Sequence, residues 1–299
     1  MDVDELHAAQ AARWRAADPL LPAPDAPRPD PVRAPGGAGW LRRLDPDPQS
    51  MVATWSAARM HRLDAHVAGD DPAAALGALL DLVDPDLGPV GDRDSAVEVF
   101  WPSRDTAPVL ALNRRGFGAA TVVAVRRTGG PGAPTPPGVR IRPLEPDDVD
   151  AATRMHLGIV RYDAQFGAVG ERPSTEARMR EELTGRADHP EPTAWVAELD
   201  GRPVGLCEVD PPDRACWLAP LCADGPIGYL SSMFVDPAVR GGGLGAALHA
   251  HADAALRAAG ATRTLLHHSP PNPLSTPFWY GQGYRPLWTS WRRRPARAR

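Results

Sequence analysis

Met233–Leu248 reads MFVDPAVRGGGLGAAL, and the reading of this stretch decides the fold. The apolar residues Met233–Val235 suit the end of a strand. Pro237 has no N–H for a ladder and stops it. The run Arg240-Gly241-Gly242-Gly243-Leu244-Gly245 then turns directly into a helix reaching Ala259, with Leu244, Leu248, Ala255 and Leu256 on one face and Gly260 at its end. Glycine adopts positive φ and lets a ligand approach the backbone closely. A helix start presents N–H groups without intrahelical partners at the positive end of its dipole. Strand, Gly-rich turn and helix in this order make a seat for a pyrophosphate.

Working outward, the second half opens on a predicted strand, Val139–Leu144, and a helix over Pro146–Tyr162 with Asp147 and Asp148 near its start. A further helix is expected from Ser174 to Gly185. Thr193–Glu198 and Pro203–Val209 flank Asp200-Gly201 and read as a hairpin. Pro211–Pro226 reads as a loop and Tyr229–Val235 as a strand. After the helix come a strand at Thr262–His268, a short helix at Ser275–Gln282 and a last strand through Trp288 and Trp291. The order is β-α-α-β-β-β-α-β-α-β.

The first half is less regular. Asp4–Ala17, Met51–Ala68, Asp71–Asp84 and Thr106–Arg115 read as helices, and Ser95–Trp101 and Ala119–Arg127 as strands. Leu20–Val32 is too rich in proline for either. Thr128–Gly138 (TGGPGAPTPPG) combines a freed backbone with blocked hydrogen bonding and reads as a linker. We therefore expect two domains, residues 1–127 and 139–299, joined by 128–138.

Composition narrows the function. The 299 residues are 43% hydrophobic and 23% charged, enough for a packed core. A formal charge of −4 disfavours a globally basic nucleic-acid binder. No apolar run reaches the roughly 18 residues that span a bilayer, so no membrane partner is expected. The polar, acidic start is unlike a signal peptide. Cys207, Cys216 and Cys222 are too few for a disulfide framework and suit a reducing cytoplasm. Their spacing is wrong for zinc, so no metal is expected. All 33 basic residues are Arg, a bias we attribute to the coding sequence rather than to function.

The segment V-D-P-A-V-R-G-G-G-L-G resembles motif A of the GCN5-related N-acetyltransferases (GNAT), R/Q-x-x-G-x-G/A after V-x-P, with Val235, Pro237, Arg240, Gly243 and Gly245 in place. Downstream, N-P-L-S-T-P-F-W-Y-G-Q-G-Y resembles the family's N-x-x-A-x-x-F-Y-x-x-x-G-F at Asn272, Ser275, Phe278, Gly283 and Tyr284. The resemblance covers Val139 to about Arg294. It implies an α/β fold, a mixed, mostly antiparallel sheet flanked by helices, and acetyl-CoA as co-substrate. By position, the backbones of Phe234 and Val235 would pair with the pantetheine arm. The amides of Arg240, Gly241, Gly243, Gly245 and Ala246 would hold the pyrophosphate, and Asn272 would reach the arm from across the cleft. The reaction implied moves an acetyl group to a primary amine of a small molecule or peptide by direct attack. A longer acyl chain, a thiol or hydroxyl acceptor, and a non-catalytic acyl-CoA binder stay open, as does a homo-oligomer.

The chemistry asks for a base to neutralise the amine and an acid for the thiolate. Where many members carry a base Glu this chain has Tyr229, and where they carry an acid Tyr it has Trp279. We therefore take Glu208, Tyr280 and Tyr229 as catalytic candidates. Glu208 lies on a strand face shared with Leu206 and Val204, an apolar setting expected to raise its pKa. His267 and His268 end a strand near the cleft, one on each face. Trp279 is read as a wall of the acceptor pocket, and the loops Gly167–Glu171 and Asp213–Gly225 as its rim. The terminal arginines Arg292–Arg294, Arg297 and Arg299 read as a solvated tail.

Trp101–Arg127 aligned with His268–Arg294 puts Gly116-Phe117 on Gly283-Tyr284, Asp105 on Asn272 and Arg126-Arg127 on Arg293-Arg294. This reads as a decayed repeat. We read the first half as having no Gly-rich turn before Gly116, hence no phosphate seat, and expect it to act as scaffold.

Overall fold

Alternating apolar residues build eleven strands, and the computed structural model, which describes residues 1–167 and 169–298, joins them into one sheet. The first half supplies β1 (Val32–Ala34), β2 (Gly37–Arg43), β3 (Arg59–Val67), β4 (Ser95–Pro102) and β5 (Gly118–Arg127). The second supplies β6 (Val139–Pro143), β7 (Ala194–Leu199), β8 (Arg202–Asp210), β9 (Ile227–Val235), β10 (Arg263–His268) and β11 (Arg285–Arg293). The helices are α1 (Val3–Ala17), α2 (Pro72–Val83), α3 (Val109–Arg114), α4 (Val149–Asp163), α5 (Thr175–Ala187), α6 (Leu244–Ala258) and α7 (Ser275–Gly281).

The sheet order is β1-β2-β3-β4-β11-β5-β10-β9-β8-β7-β6. Among the described residues only β3–β4 and β9–β10 are parallel pairs, and α2 and α6 make the crossovers that parallel pairing requires. The two halves repeat this arrangement, and they exchange their last strands. β11 lies antiparallel between β4 and β5, and β5 lies antiparallel between β11 and β10. Within the repeat, Gly116 (φ 75°) and Gly283 (φ 85°) both leave a short helix through the left-handed region that glycine tolerates.

α6 packs on one face of the sheet against Trp195, Cys207, Val209 and Leu230. α4 and α5 cover the other against Ala194, Val196, Leu206 and Phe234. No helix among the described residues is long and apolar enough to cross a membrane.

Three expectations are corrected. The helix expected over Met51–Ala68 is a 3-10 turn, Met51–Trp55, followed by strand β3. β2 pairs with β3 from His61 to Val67 and β4 from Arg59 to Arg62, and this pairing overrides local propensity. The reading that no Gly-rich turn precedes Gly116 passed over Gly36, Gly37 and Gly39, which form the β1–β2 hairpin. A Cβ on Gly37 would lie 3.0 Å from Leu79 of α2, and one on Gly39 3.0 Å from Leu63 of the neighbouring β3. These glycines admit a packed neighbour. Where α2 starts, the Asp71 carboxylate accepts the Ala74 N–H at 2.8 Å, filling the place an anion would take. Lastly, the terminal arginines are not a solvated tail. Arg293 pairs with Asp84, Arg294 with Asp94 at 2.8 Å, and Arg292 with Glu98 at 3.0 Å. Arg299, and Ala168 within the expected rim 167–171, lie outside the described residues.

Candidate active site

β9 and β10 hydrogen-bond only from Ile227↔Arg263 to Tyr229↔Leu265. Beyond that point they part. β9 stays with β8 and β10 with β5, leaving one edge of Leu230–Val235 without a strand partner. A bulge helps to open this fork. Glu208 pairs with Ser232 and Val209 with Leu230, so Ser231 has no opposite number. Phe234 and Val235, expected to pair with an extended arm, lie on this open edge.

The Gly-rich turn sits at the fork's mouth. Gly241 (φ 84°) and Gly243 (φ 86°) take left-handed conformations, and Gly243 is the N-cap of α6 with no side-chain cap. The first intrahelical bond to this cap is Ala247 N–H to Gly243 C=O, at 3.0 Å. The amides of Gly241, Gly243, Gly245 and Ala246 meet no protein acceptor among the described residues. The Arg240 amide is turned to Pro237 C=O at 3.5 Å, while its Nε donates to Val235 C=O at 3.0 Å and fastens the turn to β9. Gly245 is held small by its neighbour: a Cβ there would lie 3.3 Å from the Phe278 ring. Bare amides, the positive end of a fifteen-residue helix and a nearby guanidinium suit a diphosphate.

Across the fork, Asn272 is buried. Its Oδ1 accepts from the N–H groups of Leu274 (2.9 Å) and Ser275 (3.0 Å), and its Nδ2 donates to Asp163 Oδ1 at 2.7 Å. Sequence reasoning missed Asp163. Burial pushes its carboxyl above the usual range, and only the Asn272 hydrogen bond opposes this.

Tyr280 is 41% exposed on α7, edge-on to His268, and burial pushes its hydroxyl pKa up. Trp279 is buried in the core against His249 and Tyr284, so it does not wall an acceptor pocket. The α7 turn that exposes Tyr280 carries its neighbour inward.

Glu208 departs from its expected environment. It is 1% exposed, with Oε1 3.1 Å from His156 Nδ1 on α4 and Oε2 3.3 Å from Arg186 Nε on α5. Burial alone would raise its pKa, but the charges of His156 and Arg186 outweigh burial and hold it below the usual carboxylate range. The apolar-face reading considered only its own strand, and the polar partners come from two helices.

Tyr229, at the apex of the fork, has its hydroxyl 2.9 Å from His267 Nδ1, and burial raises the hydroxyl's pKa. Trp217, in the 3-10 turn Cys216–Leu221, is 55% exposed, edge-on to Tyr229 and parallel to the His267 ring at 6.2 Å. The sequence pointed to Tyr229 and His267, and the signal it held for Trp217 was an aromatic in the loop between two strands.

A mixed sheet forked beside a bare helix start defines the GNAT fold. Residues 162–284 match the family model described as the acetyltransferase (GNAT) family, and the chain carries a domain of that family. Among solved structures, a GCN5-related N-acetyltransferase from Sphaerobacter thermophilus is 18% identical, with a TM-score of 0.54 over 88% of this chain and 79% of that one. A GCN5-related N-acetyltransferase from Kribbella flavida is 16% identical, with a TM-score of 0.48 over 96% and 93%. A tandem GNAT protein from the clavulanic acid biosynthesis pathway is 16% identical, with a TM-score of 0.46 over 98% and 96%. No curated protein matches the chain. The family supports acyl transfer from an acyl-CoA.

Proposed function

We propose that the chain transfers an acetyl group from acetyl-CoA to a primary amine of a small molecule or peptide. The observation that carries this reading is the set of unpaired amides at Gly241, Gly243, Gly245 and Ala246, set beside the unpartnered edge of β9. In this reading those amides hold the diphosphate, and the backbones of Phe234 and Val235 pair with the pantetheine arm. Asn272 lines the opposite wall. An arm laid along β9 from Val235 towards Leu230 brings its thioester to the fork, and the bound acyl-CoA supplies the activated carbonyl. Tyr280, protonated and half exposed, is the group we assign to reprotonate the thiolate. Glu208 fixes α4 and α5 to the bulged part of the sheet. Residues 139–299 form the catalytic unit and residues 1–127 a degenerate repeat, and free Cys207, Cys216 and Cys222 fit a reducing cytoplasm.

Calorimetric titration with acetyl-CoA is the test. Binding at one site per chain is expected, and no heat on titration would reject the reading. A non-catalytic acyl-CoA binder is the second reading, favoured by the burial of Trp279 where the family has its acid. Thiol release across a panel of amines separates the two.

A further inference from the structure

At the apex of the fork, His267 and Trp217 are exposed beside the partly buried Tyr229. β10 leaves β9 after Leu265↔Tyr229, and His267 lies two residues further, so its side chain is on the same face as Leu265 and on the wall of the fork. This is the face α4 and α5 cover further along the sheet, opposite the one that carries α6. The imidazole is exposed to solvent, yet protein surrounds it on several sides. Tyr229 of β9 holds Nδ1, and Trp217 lies parallel to the ring. Arg292 of β11, Glu98 of β4 and His268 of β10 are the charged or titratable groups within electrostatic reach. Nε2 has no hydrogen-bond partner among the described residues.

Resting on the acyltransferase reading, we propose that His267 is the base that takes the proton of the acceptor amine, with Tyr229 as its positioning residue and Trp217 as the platform against which the acceptor lies. When the Tyr229 oxygen accepts from Nδ1–H, the lone pair is placed on Nε2, facing the open cleft. Attack then balances simply. The amine nitrogen bonds to the acyl carbon, the C–S bond breaks, and the amine's proton passes to Nε2 and from there to solvent. The thiolate takes a proton from Tyr280 or from water. The surrounding protein, then Arg292 and His268, hold the imidazole's pKa below its usual value, so it rests neutral with a lone pair on the ring. An exposed tryptophan beside the base favours an acceptor with a flat or apolar body next to its amine.

The test is thiol release from acetyl-CoA with a panel of aromatic and aliphatic amines. For His267→Ala we expect kcat to fall about 100-fold or more, with acetyl-CoA affinity unchanged and added imidazole restoring part of the rate. Tyr229→Phe should lower kcat about tenfold at unchanged KM. A His267→Ala enzyme within threefold of wild-type kcat, or one that loses rate without any response to imidazole, overturns this inference and leaves the acyltransferase reading standing. Wild-type protein that turns over no amine overturns both.

Discussion

The Asn272 side-chain amide donates to Asp163 Oδ1 at 2.7 Å, and this bond ties the end of α4 to the turn that starts α7. Two walls of the fork that are distant in sequence thus share one hydrogen bond. Asp163 has no cation beside it, so burial keeps its folded pKa above the unfolded value. The folded state therefore binds the extra proton, and stability falls as pH rises through the carboxylate range. Asp163→Asn keeps an acceptor for Asn272 and removes the charge. Its stability relative to wild type should be greater at about pH 7 than at about pH 2.5, where both states are largely protonated. Thermal unfolding at the two pH values checks the sign. Asn272→Ala also strips the cap from Leu274 and Ser275 and should cost about 1–2 kcal/mol.

Gly243 separates strain from charge. Its φ of 86° penalises any side chain, while space around its Cβ position is open. Gly243→Ala and Gly243→Glu carry the same backbone penalty of about 1 kcal/mol, but only the second places a carboxylate at the bare amides. We expect Gly243→Glu to bind CoA at least about tenfold more weakly than Gly243→Ala. Equal affinities by calorimetry would mean that the turn does not hold the diphosphate.

The second half was legible because local signals there agree with the fold. Pro237, the glycines and Leu244, Leu248 and Leu256 mark strand end, turn and helix within one stretch of chain. β3 was not legible, since its strand character comes from β2 and β4, which only the folded chain brings alongside. The proposed cofactor seat is main chain on a contiguous loop, and sequence reports such loops well. The proposed acid–base groups are side chains on different elements. Glu208 faces His156 and Arg186, which lie 52 and 22 residues before it in sequence, so its ion pairs were invisible to strand alternation.

The Glu208 cluster should show itself in stability. Glu208→Gln takes the carboxylate from His156, while Arg186 keeps Glu182 at 2.9 Å and Asp210 at 2.8 Å, and the change should cost roughly 1–3 kcal/mol. The pH signs are opposite for the two partners. The depressed Glu208 pKa gives stability that is present above its unfolded value and is lost as pH falls through the folded one. His156 is raised by Glu208 against the pull of burial, and its contribution is lost as pH rises through the folded pKa. The pair therefore stabilises most between these limits. Glu208→Gln should flatten the stability–pH curve on both sides, as denaturant midpoints across pH can read directly. A curve that keeps the wild-type shape would place its pH dependence elsewhere.

The exchange of strands makes a stronger demand on the whole chain. Both neighbours of β11 come from the first half, and both neighbours of β5 come from the second. Residues 139–299 alone would hold β11 with no strand on either side and β10 with one bare edge. Residues 1–130 alone would likewise hold β5 unpaired. Contacts across this join include the ion pair of Arg292 with Glu98, a carboxylate held down to about pKa 2 in a buried site that Arg62 and Ser290 also reach. We therefore expect neither piece to show a cooperative thermal transition by itself. Produced together as separate chains, divided within residues 131–137, the two should co-purify and regain the transition of the intact protein. A folded 139–299 fragment that binds acetyl-CoA alone would show that the exchanged strands decorate the catalytic unit rather than complete it.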